Sequence, residues 1–156
     1  MKKIILMACL AVALFTACDL ESSDNGDFDG FWQLTQVDTL ATGRSGDMRS
    51  EHIFWSVQGT LLKMTTNNND WLQDGKVNYL PVVCHFRLEQ KQLHLTDVMA
   101  DLRGMSEENP DSIITDPATV AFYGLTQVNE TFDVLHLSSD QMTLRNAAYI
   151  LRFRKY

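Results

Sequence analysis

The stretch VVCHFRLEQKQLHLT, residues 82–96, decides how the rest of the chain is read. Val82, Cys84, Phe86 and Leu88 occupy every second position, and His85, Arg87 and Glu89 fill the gaps. A period of two belongs to a β-strand with one face in a core and the other in water. Glu89-Gln90-Lys91 breaks the run, and Leu93 and Leu95 then resume the alternation around His94. Two alternating segments about a short polar break read as an antiparallel hairpin.

The same period recurs outward from this hairpin. Towards the N-terminus, 31–37 pairs Trp32 with Leu34, 51–57 aligns Ile53, Trp55 and Val57, and 60–66 aligns Leu62 with Met64. Towards the C-terminus, TFDVLHL (131–137) is apolar on both faces and leaves its inward side undecided. Segments 141–145 and 147–155 form a second hairpin, with Tyr149, Leu151 and Phe153 on one face and Arg152 and Arg154 on the other. About eight strands, many joined by short polar turns such as Ser138-Ser139-Asp140 and Arg145-Asn146, predict an all-β antiparallel barrel or sandwich. The longer connections are 39–50, 67–75 and 97–115; the last has no clear period and reads as an irregular excursion. One short helix is expected before the last three strands. Asp116 caps it, Pro117 opens it, Ala118–Tyr123 form its body and Gly124 stops it.

Composition narrows the partners. The chain carries 20 acidic and 13 basic residues, and a binder of phosphate backbones needs the opposite balance, so nucleic acid is not an expected partner. Of the three cysteines, Cys9 and Cys18 lie in or beside an apolar leader. That leaves Cys84 alone in the domain, with no internal disulfide to form.

The leader runs from Lys2-Lys3 through the apolar residues 4–17, short of the roughly 20 residues that span a bilayer. Its end, Leu14-Phe15-Thr16-Ala17-Cys18, resembles a bacterial lipobox, which implies cleavage before Cys18 and acyl chains such as palmitate on that cysteine. The expected organisation is a signal peptide over 1–17, an acidic tether over 18–29 and one domain over 30–156. Asp19, Glu21, Asp24, Asp27 and Asp29, with no Lys or Arg among them, favour an extended, solvated spacer. Acid after the cysteine resembles the surface-export signal of Bacteroidetes lipoproteins, whereas in enteric-type bacteria Asp there directs inner-membrane retention. The expectation is lipid anchorage at the outer membrane, in the periplasmic or the cell-surface leaflet.

Gly30-Phe31-Trp32 matches the G-x-W signature of lipocalins. Together with the lipobox, the acidic spacer, the segment "YGL…ETFDVLHLSSDQMTL" and the terminal "YILRFRK", it resembles the small lipocalin-like lipoproteins of Bacteroidetes over residues 18–156. The resemblance implies a lipocalin-like barrel closed at one end by Trp32, with an arginine of the last strand, Arg152 or Arg154, packed on it. Two features depart from the pattern. Lipocalins place their main helix after the eighth strand, and their second and third motifs are not evident here.

The usual chemistries find no constellation. His52, His85, His94 and His136 fall one per strand, and adjacent Cys84 and His85 point to opposite faces, so no metal site is expected. Asn25-x-Asp27-x-Asp29-Gly30 copies the start of a calcium loop, but the twelfth position is Gln36, which offers no bidentate carboxylate. There is no G-x-S-x-G and no phosphate loop, and Cys84 is expected inward and inert. No enzyme and no cofactor are expected.

The candidate ligand-binding residues are Trp32, Trp55, Phe86, Tyr149 and Phe153 on inward faces, with Trp71 in the 67–75 loop. The leading expectation is an anchored protein binding a small apolar or amphipathic molecule. The alternative is a structural or interaction subunit with a filled barrel, acting through loops 39–50, 67–75 and 97–115.

Overall fold

The computed structural model describes residues 25–66, 72–73, 76–77, 79–102 and 111–156. Cys18, most of the tether and Trp71 lie outside the described residues. The strands, in chain order, are β1 (Gly30–Thr39), β2 (Ser45–Asp47), β3 (Ile53–Gln58), β4 (Leu61–Thr66), β5 (Leu72–Gln73) and β6 (Lys76–Val77). They continue as β7 (Val82–Glu89), β8 (Gln92–Asp101), β9 (Asp111–Ile113), β10 (Thr131–Leu137), β11 (Gln141–Arg145) and β12 (Tyr149–Lys155).

Eight of these close an antiparallel barrel in the order β1-β3-β4-β7-β8-β10-β11-β12, with β12 returning to β1. Closure comes from three residue pairs, Thr131↔His94, Phe132↔Leu93 and Asp133↔Gln92, which join β10 to β8. Each barrel strand pairs with its neighbour in that order, so the hydrogen-bonding edges satisfy one another. The eight are the segments that the sequence reads as strands. β2 lies beside the far end of β1, β9 beside the far end of β8, and β5 and β6 pair with each other.

Alternation sets the faces as expected. Trp32, Leu34, Ile53, Trp55, Val57, Leu62, Met64, Val82, Cys84, Leu93, Leu95, Leu151 and Phe153 are all buried in one core. The undecided segment 131–137 turns Phe132 inward and leaves Leu135 and His136 exposed. Its register shifts between Val134 and His136, and a bulge there explains why one period could not be read through it.

Three expectations change. β8 runs on to Asp101 instead of giving way to an irregular stretch after Thr96; its register against β7 shifts near Asp97, which sits at φ +53. That shift interrupts the period without ending the strand. The expected helix is two 3-10 turns, Pro117–Thr119 and Ala121–Tyr123. The Asp116 carboxylate accepts from the Ala118 N–H at 2.9 Å and Gly124 ends the segment at φ +90, leaving too few residues for a stable α-helix.

Thirdly, residues 25–29 are no solvated spacer. Gly26–Phe28 form a 3-10 turn, and Phe28 is buried in the core with its ring edge-on to Phe86 at 5.1 Å. One aromatic side chain outweighs the acidic composition around it: burying a Phe stabilises by roughly 1.5–3 kcal/mol.

Candidate functional site

The interior is organised by aromatic residues on neighbouring strands. Trp32 and Trp55 stand opposite each other on β1 and β3, and both are fully buried. The Trp55 ring lies 5.7 Å from Phe132 and 4.9 Å from Phe153. The structure therefore brings together Trp32, Trp55 and Phe153 of the expected set and adds Phe132. Phe86 is half-buried towards one end, against Phe28, and Tyr149 is half-buried towards the other, opposite Thr39.

The end holding Trp32 is sealed. Its indole N–H donates to the Phe28 carbonyl at 2.8 Å, and Asn25 Nδ2 donates to the Gly59 carbonyl at 2.7 Å. The cation over Trp32 is Lys155, with Nζ 4.8 Å from the ring centroid and donating to the Asp27 carbonyl at 3.0 Å. Neither expected arginine serves there. Lys155 shares its face with Leu151 and Phe153, whereas Arg152 pairs with Asp38 and Arg154 donates to Gln33 on the opposite face.

The other end, the mouth, is crossed by the segment from Ile114 to Glu130. Val120, Tyr123 and Leu125 are buried in the barrel core, and the Tyr123 hydroxyl donates to the Leu80 carbonyl at 2.8 Å. Burial raises that hydroxyl's pKa. Phe122 stacks on Tyr79 at 3.6 Å between centroids. A buried polar knot ties the strap down. One Glu130 oxygen accepts from the Thr126 N–H (2.7 Å), the Thr126 hydroxyl (2.6 Å) and Asn146 Nδ2 (3.3 Å). Asn146 Nδ2 also donates to the Gly124 carbonyl at 3.0 Å, and Asn146 Oδ1 accepts from the Ala148 and Tyr149 N–H groups. No periodic signal marks Glu130 or Asn146 in the sequence. Lys155, by contrast, follows from the parity of 151 and 153.

Two polar groups inside the barrel matter chemically. Cys84 is buried, its thiol pKa pushed up to about 12 by burial, and its Sγ lies 3.5 Å from the Leu62 carbonyl. Such a thiol is a poor nucleophile. Trp55 Nε1 is different. Among the described residues it is the one buried side-chain nitrogen or oxygen without a hydrogen-bond partner. A donor left in that state costs about 1–3 kcal/mol, which an acceptor placed against it recovers.

The outer surface carries concavities. A cleft of about 240 Å³ lies between β8, β9 and Val128-Asn129, floored by Val98 and Ile114. A groove of about 380 Å³ at the sealed end is lined by Leu88, Lys91, Val134, Leu135, His136 and Leu137. Among the described residues, no three His, Cys, Asp or Glu side chains converge as metal ligands would.

An eight-stranded antiparallel barrel, sealed at its N-terminal end and strapped at its mouth around an aromatic core, defines the class of small closed β-barrels, whose interior is either filled by side chains or holds one small ligand. Within that class, the profile of the lipocalin-like domain matches residues 13–156, and the chain belongs to that family. Its fold is similar to that of a lipocalin-like protein from Bacteroides uniformis ATCC 8492, with a TM-score of 0.58 and 21% identity over 84% of this chain and 100% of that one. It is likewise similar to an uncharacterized protein from Bacteroides eggerthii DSM 20697, with a TM-score of 0.58 and 20% identity over 82% of this chain and 98% of that one. A search of curated proteins finds no match.

Proposed function

We propose that this is a lipid-anchored binding protein of the bacterial envelope. It holds a small apolar or amphipathic molecule with a hydrogen-bond acceptor inside the barrel, and it is not an enzyme. The observation that carries the reading is the unpartnered Trp55 N–H amid Phe132 and Phe153. An aromatic surround supplies affinity by burial, and a lone donor supplies orientation. Trp32, Trp55 and Phe153 are the proposed lining. The strap over the mouth would have to lift for exchange, and Gly124, in the left-handed region, is its natural pivot.

Anchorage rests on the lipobox ending at Cys18 and favours the outer membrane. Replacing Cys18 with Ala should release the protein from the membrane fraction. Retention after a high-salt wash would refute the lipid assignment.

A second reading has its own support. Complete burial of Trp32, Trp55 and Tyr123 also suits a filled barrel that acts through its loops. Titrating residues 19–156 with a fluorescent fatty acid while following tryptophan emission separates the two. Ligand binding gives a saturable change that weakens in Trp55→Phe, which keeps a ring and deletes the donor. A flat titration in both proteins leaves the filled barrel standing.

A further inference from the structure

The chain that would carry the lipid leaves the barrel from one particular end. Asn25 is fastened to Gly59 in the β3–β4 turn, Phe28 is buried in the core, and Lys155 holds the Asp27 carbonyl. The 3-10 turn is therefore part of the sealed end. From Cys18 to Asn25 the chain has seven Cα-to-Cα steps, which reach at most about 25 Å even when fully extended. The strap lies at the other end of strands seven to ten residues long, such as β1 and β12. At about 3.3 Å per residue and a barrel tilt, that is a further 20–25 Å or so.

We infer that the sealed end faces the bilayer and the strapped mouth points away from it. This rests on the Cys18 anchor proposed above. The contacting surface is made by the turns Gln58–Thr60, Glu89–Gln92 and Ser138–Asp140, together with the groove of Leu88, Leu135 and Leu137. Leu135 is 48% exposed there and Tyr156 75%, and Lys91 lines the same groove. Apolar side chains beside a cation, with an exposed tyrosine elsewhere on the same end, suit the headgroup layer of a lipid surface. Exposed apolar residues also occur at the mouth end, Leu40 and Ile113 among them. It is therefore the exit of the anchor, and not apolar content, that favours this orientation: with the mouth down, the tether would have to lie almost fully extended along the whole barrel. The consequence is functional: the barrel exchanges its ligand with the aqueous side, or with a partner protein there, and not with the bilayer that holds it.

The test uses the full lipidated chain in vesicles of phosphatidylcholine and phosphatidylglycerol containing a nitroxide-headgroup lipid. A fluorophore is attached to Ser139→Cys, in the sealed-end turn, or to Ala41→Cys, beyond β1 at the mouth; Cys84 is buried and stays unlabelled. Quenching at position 139 is expected to exceed that at position 41 by about threefold or more, given the length of the barrel. Equal quenching, or more at position 41, overturns the orientation. Leu135→Asp should reduce quenching at position 139 on a chain that still floats with the vesicles, and an unchanged value overturns the groove contact. The Cys18→Ala chain is expected to stay unbound. Binding without Cys18, or no binding with it, takes down the anchor reading together with the orientation, whereas a reversed pattern on an anchored chain overturns the orientation alone.

Discussion

The two ends of the barrel are closed by different physics. At the sealed end, one contiguous stretch does most of the work: Phe28 packs inward, its carbonyl receives the Trp32 N–H four residues on, and Lys155 crosses from β12. At the mouth, closure combines the buried side chains of Val120, Tyr123 and Leu125 with a polar knot, in which Glu130 holds Thr126 and Asn146 holds Gly124, and with the Tyr123 hydroxyl on Leu80. The floor turn runs directly into β1, so it is coupled to the barrel wall. The strap lies outside the sheet and is held by a few specific hydrogen bonds beside its apolar contacts, and segments outside the main sheet are the natural places for local opening. In the function proposed above, the sealed end is the floor and the strap is the lid.

Substitutions can break that contrast. Trp32→Ala removes the largest side chain at the floor and its hydrogen bond, and should cost about 3–5 kcal/mol, read as a fall in the urea midpoint. At the mouth, Gly124→Ala places a Cβ 2.7 Å from Leu151 Cδ1 at φ +90 and should cost about 2–4 kcal/mol by the same measurement. Asn146→Ala should cost less, about 1–3 kcal/mol, since it strips one donor and one acceptor from the knot. Hydrogen exchange sharpens the comparison: amides of 117–125 should lose protection selectively in Asn146→Ala, with β1 and β3 unchanged. Loss of protection throughout the barrel would show that mouth and floor open as one. Lys155→Met should cost no more than about 1 kcal/mol, as removal of a half-exposed cation from Trp32.

The smallest expected effect is on pH dependence and belongs to the outer wall. Asp38 has its pKa lowered by hydrogen bonds from Gln36 and Ser45 and by Arg152, and Asp133 has its pKa lowered by hydrogen bonds from Arg145 and Gln92. A carboxyl whose folded value is depressed contributes its stability above the unfolded value and loses it as pH falls through the folded one. Stability should therefore decline from about pH 4 downward. Asp38→Asn should flatten that decline slightly, because both groups lie near solvent. A midpoint that fell equally at pH 3 in wild type and variant would remove Asp38 from this account.

Much of the barrel wall was legible because alternation is local. Ile53, Trp55 and Val57, or Val82 and Cys84, declare an inward face within a few residues, since successive side chains of a strand must point oppositely. The same parity at 151 and 153 extends to Lys155, and reading it one step further would have identified the cation over Trp32. Where bulges intervene, at Asp97 and between Val134 and His136, parity fails, and with it the length of β8 and the inward face of β10. Of the candidate lining, Trp32, Trp55 and Phe153 could be placed by face alone. Phe28 could not, because acidic neighbours hide a single buried aromatic.

By itself, then, the sequence determined the eight wall strands, the inward faces of all of them but β10, and the acidic, single-cysteine character of the domain, all of which follow from periodicity and composition over short windows. Only the tertiary structure decided that the barrel closes through Phe132 and Leu93, that 25–29 join the floor, and that Glu130, Asn146 and Tyr123 secure the mouth. Those contacts join residues with no shared period. Their partners are chosen by where the closed wall delivers them, and a linear pattern carries no record of that.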